Sequence, residues 1–268
     1  MTEATLDVQA HAADAIDTLM VPALLREWAP RVAEAARIRP GERVLDVACG
    51  TGTLAREVAA RTGPSGMVSG LDPSQAMLAA ARRRAPHLVW KQGVAEALPF
   101  ANGVFDAVVS QFGLTFFTDR RAALGEALRV LAPGGRLAVA VWDALERHPA
   151  YAAEVAVVER LAGPAAAEPL RTPFVLGDRD GLAALVGESG FASVEVRTAR
   201  GTARFPNVRA MVEADLRGRL FPAMDVVLPE DQVARIVGEA ETALAPFVVE
   251  DGSVAFETSA HIVTAVKA

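Results

Sequence analysis

The run Val44-Leu45-Asp46-Val47-Ala48-Cys49-Gly50-Thr51-Gly52 constrains the fold more than any other part of the chain. An apolar strand pattern enters a turn of small residues and gives way at once to a helical pattern over residues 53–61. A turn free of bulky side chains lets backbone amides come close to a ligand. The helix behind it aims its positive end at the same point. Twenty positions after Gly52, the apolar run at 67–71 ends in Asp72, an acid placed to accept hydrogen bonds from ribose hydroxyls. Strand, turn, helix, strand and acid in that order describe the adenosine-binding half of a Rossmann-like sheet.

The turn by itself leaves the cofactor open. Gly50-Thr51-Gly52-Thr53-Leu54-Ala55 fits the G-x-G-x-x-G/A pattern, which permits NAD. The Asp72 carboxylate would repel the 2′-phosphate of NADP. Beyond the turn, seven strand patterns alternate with helices: strands at 43–48, 67–71, 88–92, 105–110, 136–142, 193–197 and 261–267, and helices at 53–61, 74–84, 119–131 and 180–189. Such alternation implies an α/β fold, a mostly parallel sheet with helices on both faces. Pro133-Gly134-Gly135 reads as a tight turn between helix and strand, and Gly190 as a helix stop.

The wording around the turn is more specific. Leu45 to Gly52, then Gly70-Leu71-Asp72-Pro73-Ser74-Gln75-Ala76-Met77-Leu78, Ala95-Glu96-Ala97-Leu98-Pro99-Phe100, Phe105-Asp106-Ala107-Val108-Val109 and Leu131-Ala132-Pro133-Gly134-Gly135 follow in order at sensible spacing. This succession resembles the class I S-adenosylmethionine-dependent methyltransferases, and within them the bacterial group holding the ubiquinone and menaquinone C-methyltransferases. The resemblance is strong over residues 40–141 and looser elsewhere. It implies a Rossmann-like seven-stranded sheet, S-adenosyl-L-methionine as methyl donor and S-adenosyl-L-homocysteine as product. It also implies roles for residues. Asp46 would hold the donor's amino group, the amides around Ala48, Gly50 and Gly52 would approach its methionine and ribose portions, and Asp72 with Pro73 would meet the ribose. The plainer but lesser readings are a turn acid for Asp46 and, compatible with the ribose role, an N-cap role for Asp72 in the helix opening at Pro73-Ser74. Met77 would flank the adenine or fill the core. One departure stands out. The residue before Ala95 is usually Asp or Asn, meeting the adenine amine; here it is Val94, so one polar contact of about 1 kcal/mol is lost. The Ala95 amide and the Val94 side chain remain to contact the ring.

Composition fits an enzyme of small molecules. A chain of 268 residues buries a sizeable core in one α/β domain, with or without a helical cap. Its 51% hydrophobic residues come in short runs, none long enough to span a bilayer. Glu3, Asp7, Asp14 and Asp17 give the N-terminus no basic, apolar leader, so a cytoplasmic protein is expected. One cysteine, Cys49, excludes an internal disulfide, and its place in the turn calls for a small side chain. A net charge of −6 disfavours nucleic acid. The basic run Arg82-Arg83-Arg84 closes a helix, where cations complement the dipole. Members of the wider family that methylate base amines carry D/N-P-P-Y after the fourth strand. Here Ser110-Gln111-Phe112-Gly113 occupies that position.

The expected domain plan is a helical cap at 1–39, a cofactor-binding core at 40–144, a cap insertion at 145–180, core at 181–203, a second cap insertion at 204–250 and a final core strand in 251–268. Helical patterns at 151–161, 207–220 and 229–244 fill the insertions, which start near the carboxyl ends of the strands, where ligands of open parallel sheets bind. Gln111 and Phe112 follow the fourth strand, beside the expected sulfonium. Phe112, Phe116, Phe117 and Trp142, with Trp28 and Tyr151, form the expected substrate wall, suited to a flat apolar acceptor or a cation. His148 is the first candidate for a base, because imidazole titrates near neutrality; a structural role is the plainer reading. No metal is expected, since Asp143 has no acid partner at Ser110-Gln111. The reading is methyl transfer to oxygen or carbon of a small, largely apolar acceptor. Its rivals are a cofactor-binding protein or cyclase without methyl transfer, and an NAD-dependent oxidoreductase. The sequence leaves the acceptor and the oligomeric state open.

Overall fold

The computed structural model describes residue 13, residues 16–217 and residues 226–268. His11, the acids before Asp17 and the last three residues of the helix expected at 207–220 fall outside the described residues.

Seven strands form one sheet: β1 (Arg43–Val47), β2 (Met67–Asp72), β3 (Val89–Gln92), β4 (Phe105–Gln111), β5 (Leu131–Trp142), β6 (Ala192–Phe205) and β7 (Val254–Val266). Their order across the sheet is β3-β2-β1-β4-β5-β7-β6. The first five run parallel, and β7 lies antiparallel between β5 and β6. The chain winds outward from β1 to β3 and then returns to β1's other side with β4. A crevice therefore opens beyond the carboxyl ends of β1 and β4.

The core helices are α3 (Thr53–Thr62), α4 (Gln75–Arg84), α5 (Arg120–Val130) and α8 (Arg179–Glu188). Ser74 and Asp119 stand just outside α4 and α5 as N-caps, accepting the amides of Met77 and Ala122. A side-chain acceptor there satisfies an amide that the helix leaves open, which shortens the expected helices by one residue. Alternation along the strands sends side chains to two faces. Leu45, Val47, Val108, Leu137, Val139 and Val141 join the core beneath α5 and α8. Val44, Ala107, Val109, Ala138, Ala140 and Trp142 face the other way. Asp46 and Gln111, two residues on from Val44 and Val109, rise on that second face.

The second face carries the remaining helices. Residues 16–25 form α1 (Ile16–Leu25), a π-helix closed by bonds such as Arg26 N–H to Val21 O at 2.8 Å. The wider winding suits a segment whose Pro22 has no amide to give. Then come α2 (Trp28–Ala35), α6 (Pro149–Ala162), α7 (Pro164–Arg171), α9 (Val208–Arg217) and α10 (Glu230–Ala243). Among the described residues no helix is long and apolar enough to cross a membrane.

Three sequence expectations are corrected. The strand expected at 193–197 runs from Ala192 to Phe205, and the one at 261–267 starts at Val254. The two pair from Ala192↔Val266 to Phe205↔Val254 across a 48-residue excursion. Their length was hidden because β6 is an edge strand, exposed on alternate residues and interrupted by Gly201, so its apolar signal is thin. Pro133-Gly134-Gly135 is no separate turn. It makes an irregularity within β5, where pairing jumps from Phe105↔Leu131 to Ala107↔Arg136 and Gly134 takes φ +72°.

Candidate active site

The crevice is a cavity of roughly 200 Å³. Its floor is built by strand tips. β1 ends in Ala48 with φ +58°, and β4 ends in Phe112, also with φ +58°. Left-handed backbone at a non-glycine residue costs about 1–3 kcal/mol, so the surrounding structure holds these two tips in place. Gly113 lets them meet: a β-carbon there would come within 2.6 Å of the Ala48 β-carbon. Gly50 and Gly52 continue the turn at φ +53° and +81°. A β-carbon on Gly50 would project into open space on the cavity wall, whereas one on Gly52 would strike the Trp90 ring at 2.4 Å. Trp90, which the sequence reading passed over, is pinned by its indole N–H to Ala85 O at 2.9 Å and forms the back wall of the turn.

Asp46 stands on this floor, 1% exposed, and neither carboxylate oxygen has a hydrogen-bond partner. Burial pushes its pKa well above the usual carboxylate range; the Ala55 amide at the open end of α3 pulls it down in part, and the nearby Asp72 carboxylate pushes it up. A buried acid without donors is costly unless a ligand supplies them. An ammonium group fits this carboxyl in charge and in the donors it brings. The amide ends of α3 and the open side of Gly50 fit a backbone-bound ligand beside it. The donor's amino-acid portion therefore suits these residues. Gln111 completes the floor. Its Nε2 donates to Leu25 O at 2.8 Å, tying β4 to α1, and its Oε1 has no donor.

The walls are apolar and aromatic. Phe112 and Trp142 stack at 3.8 Å, and Phe116, Tyr151 and Phe174 line the cavity with them. Ile16, Met20, Leu24 and Leu25 of α1 close the near side, and Met77 lies at the base. Cys49 is buried in the turn, and burial, with Asp46 and Asp72 nearby, pushes its thiol pKa up. That favours the inert small-residue role expected of it.

Several expected residues sit elsewhere. Asp72 is fully buried, its Oδ2 accepting the Gly50 amide and its Oδ1 the Ser74 amide, both at 2.9 Å. It clasps turn to helix and lies outside the cavity wall, as do Gly52, Pro73, Ala95 and the half-exposed Val94. Three candidates are corrected. Trp28 is fully buried behind the wall, edge-on to Phe112 and Trp142 at 5.9 and 5.6 Å. Phe117 packs with the core on the opposite face of the sheet. His148 is fully buried at the start of α6, with Nδ1 3.1 Å from Ala144 O and Nε2 3.0 Å from Ser259 O. Burial lowers its pKa, and its ring braces Trp142 and Phe174 from behind. It holds α6 to β7 and has no nitrogen left for a substrate proton. His261 is similarly engaged, with Thr198 Oγ1 at 2.9 Å and Gly177 O at 3.0 Å.

Two acids went unnoticed in the sequence. Glu154 on α6 is fully buried, and Asp215 on α9 is 6% exposed and lines the cavity. Each occupies a core position of an amphipathic helix: Tyr151, Glu154, Val155 and Val158 on one, Val208, Met211, Val212 and Asp215 on the other. An acid at such a position is the signal that could have found them.

Residues 44–135 match the family described as a methyltransferase domain. The chain is 37% identical over 187 residues to a demethylmenaquinone methyltransferase of Beutenbergia cavernae, covering 66% of this chain and 76% of that protein. It is 39% identical over 145 residues to a ubiquinone/menaquinone biosynthesis C-methyltransferase of Burkholderia vietnamiensis, covering 50% and 58% respectively. In fold it is similar to the YcgJ protein of Bacillus subtilis, with a TM-score of 0.61 at 19% identity over 90% of this chain and 98% of that one.

Proposed function

From the premise that this chain belongs to the S-adenosylmethionine-dependent methyltransferases, we propose that it methylates oxygen or carbon of a small, largely apolar ring compound of the quinol or phenol class. The observation that carries the reading is a single cavity with two kinds of surface. One end presents the unpartnered carboxylate of Asp46 at the glycine turn; the other presents the stacked faces of Phe112 and Trp142 with Phe116, Tyr151 and Phe174. The names of the relatives, one a demethylmenaquinone methyltransferase and one a ubiquinone/menaquinone C-methyltransferase, support a quinol-type acceptor.

The bound donor supplies an electrophilic methyl group on a sulfonium. The chain's residues supply position and surroundings. Asp46 would receive the donor's ammonium, whose N–H groups fill the bonds that its two oxygens lack. The amides of Gly50 and its neighbours would follow the donor along the turn, whose shape Asp72 holds through the Gly50 amide. Gln111 and Phe112, at the tip of β4, would flank the transferring group. Trp142 and Phe116 would hold a flat ring in line with it and keep water away. Such alignment can supply about 7–11 kcal/mol of the barrier, enough to make this a reaction of positioning first. Charge disappears as the methyl moves, so an apolar wall favours the transition state over the separated ions.

A cytoplasmic location and a small-molecule partner belong to the same proposal. Calorimetric titration with S-adenosylhomocysteine, S-adenosylmethionine and NAD tests the cofactor half, with binding of the first two and none of the third expected. Turnover of 1,4-naphthohydroquinone and simple phenols, followed by mass spectrometry for a gain of one methyl, tests the acceptor half. Binding of the donor without methylation of any such ring overturns the acceptor class.

A further inference from the structure

The carboxyl pair Glu154–Asp215 lies in the roof of this cavity, on the two cap insertions. Asp215 opens onto the space shared with Asp46, Gln111 and the aromatic wall. Its Oδ2 and both oxygens of Glu154 receive no hydrogen bond from any N–H or O–H group of the described residues. No described Arg or Lys pairs with either acid, although the surrounding helices are rich in ion pairs such as Arg217–Glu230 and Arg209–Glu213 on their outer faces. An acid placed without a donor against an apolar wall is expensive to keep. What it can do there is take a proton that the cavity brings.

Resting on the acceptor class proposed above, we propose that Asp215 is the base that removes the acceptor's hydroxyl proton, and that Glu154 is its positioning residue. In the step, the acceptor O–H bond breaks and its proton passes to Asp215. The electron pair left on oxygen either attacks the methyl directly or is conjugated to the ring carbon that attacks it. The new bond to methyl forms as the sulfur–methyl bond breaks, with that pair remaining on sulfur. On carbon methylation the proton of the substituted carbon then moves by way of water to the ring oxygen, which restores the hydroxyl, and on either route the proton on Asp215 returns to water when product leaves.

The titration order of the pair agrees with these roles. Burial and the neighbouring Asp215 push Glu154 well up, so it keeps its proton. Burial raises Asp215 to about 7, opposed by the neutral Glu154 carboxyl beside it. Among the described residues, the other titratable group facing the pair is Tyr151 of α6, whose phenol is raised by burial and by both acids and so stays neutral. A base with a pKa near the working pH combines a populated carboxylate with useful proton affinity.

The test uses the full chain with 1,4-naphthohydroquinone and a panel of phenols as acceptors and S-adenosylhomocysteine as binding probe. Asp215→Asn should lower kcat by about 10²- to 10⁴-fold, with S-adenosylhomocysteine affinity kept and the melting temperature unchanged or higher. In the wild type, kcat should rise with pH through about 7. Glu154→Leu removes the neighbouring carboxyl that lowers Asp215, so this acid limb should move to higher pH. Glu154→Gln, which keeps a neutral polar group of the same shape beside Asp215, should return it toward its original place. Full activity in Asp215→Asn, or an unmoved limb in Glu154→Leu, overturns the assignment. Infrared titration of the Asp215 carboxyl, taken as the difference between wild type and Asp215→Asn, needs no acceptor. If the wild type binds donor but methylates no ring, the acceptor reading has failed. In either case, a carboxyl that does not titrate near neutrality overturns the pair's role.

Discussion

The floor and the roof of the cavity are built by opposite means. The floor is backbone: two left-handed strand tips at Ala48 and Phe112, a glycine turn, and the amide end of α3, all fixed by the parallel strands beneath them. The roof is side chain: Tyr151, Phe174 and Asp215 line it, with Glu154 buried beside them, all carried on segments outside the sheet. A backbone floor suits a ligand held by the fold itself. A side-chain roof can change its occupant by single substitutions. The difference teaches where specificity resides in this fold.

The comparison breaks most easily at the floor. Gly52→Ala forces an L-residue to φ +81° and drives its β-carbon into Trp90. The strain and the overpacking together should cost about 2–4 kcal/mol, and thermal unfolding should show a melting temperature lower by about 10 °C. A tolerated alanine would mean that the turn is softer than the roof. Asp46→Ala should leave the fold intact and weaken S-adenosylhomocysteine about ten- to hundredfold by calorimetry, the worth of a charged hydrogen-bonded contact.

At the roof the sign is reversed, because the buried acids are a burden on the folded state. Both have raised pKa values, so between the ordinary carboxylate range and those values the native chain holds more protons than the unfolded one. Stability then falls as pH rises through that interval. Glu154→Gln should therefore raise denaturant stability at pH 8 by about 1–4 kcal/mol and flatten its decline with pH; a loss of stability would place the pair among ordinary structural contacts. Val94→Asp, which places a polar group where the family resemblance expects one beside the adenine, should tighten S-adenosylhomocysteine several-fold, about 1 kcal/mol. Smallest of all, Glu195→Gln at the exposed Arg197 pair should move stability by less than about 0.5 kcal/mol.

The floor was largely legible in the sequence and the roof was not. Strand periodicity put Asp46 and Gln111 at neighbouring tips, and small residues in a turn can be read directly as room for a ligand. The aromatic wall was half legible: Phe112, Phe116, Trp142 and Tyr151 line the cavity, while Trp28 and Phe117 are packing. Aromatic residues at a rim carry no mark of which side of the sheet they face when the chain between them is irregular. His148 drew attention because imidazole titrates near neutrality, yet its place against the β7 backbone depends on a contact 111 residues away that no local pattern records. Glu154 and Asp215 meet only after both insertions have folded, so neither helix alone announces a pair.

The bond from the Gln111 amide to Leu25 O gives the floor and the first cap segment a common fate. Coupling of this sort is reciprocal. A ligand that leans on Gln111 and holds its rotamer lends to α1 the same free energy that α1 lends to the ligand. The N-terminal segment then behaves as a tethered ligand of β4, present at a concentration set by the chain itself, and the occupancy of the crevice is written into the order of residues 16–25.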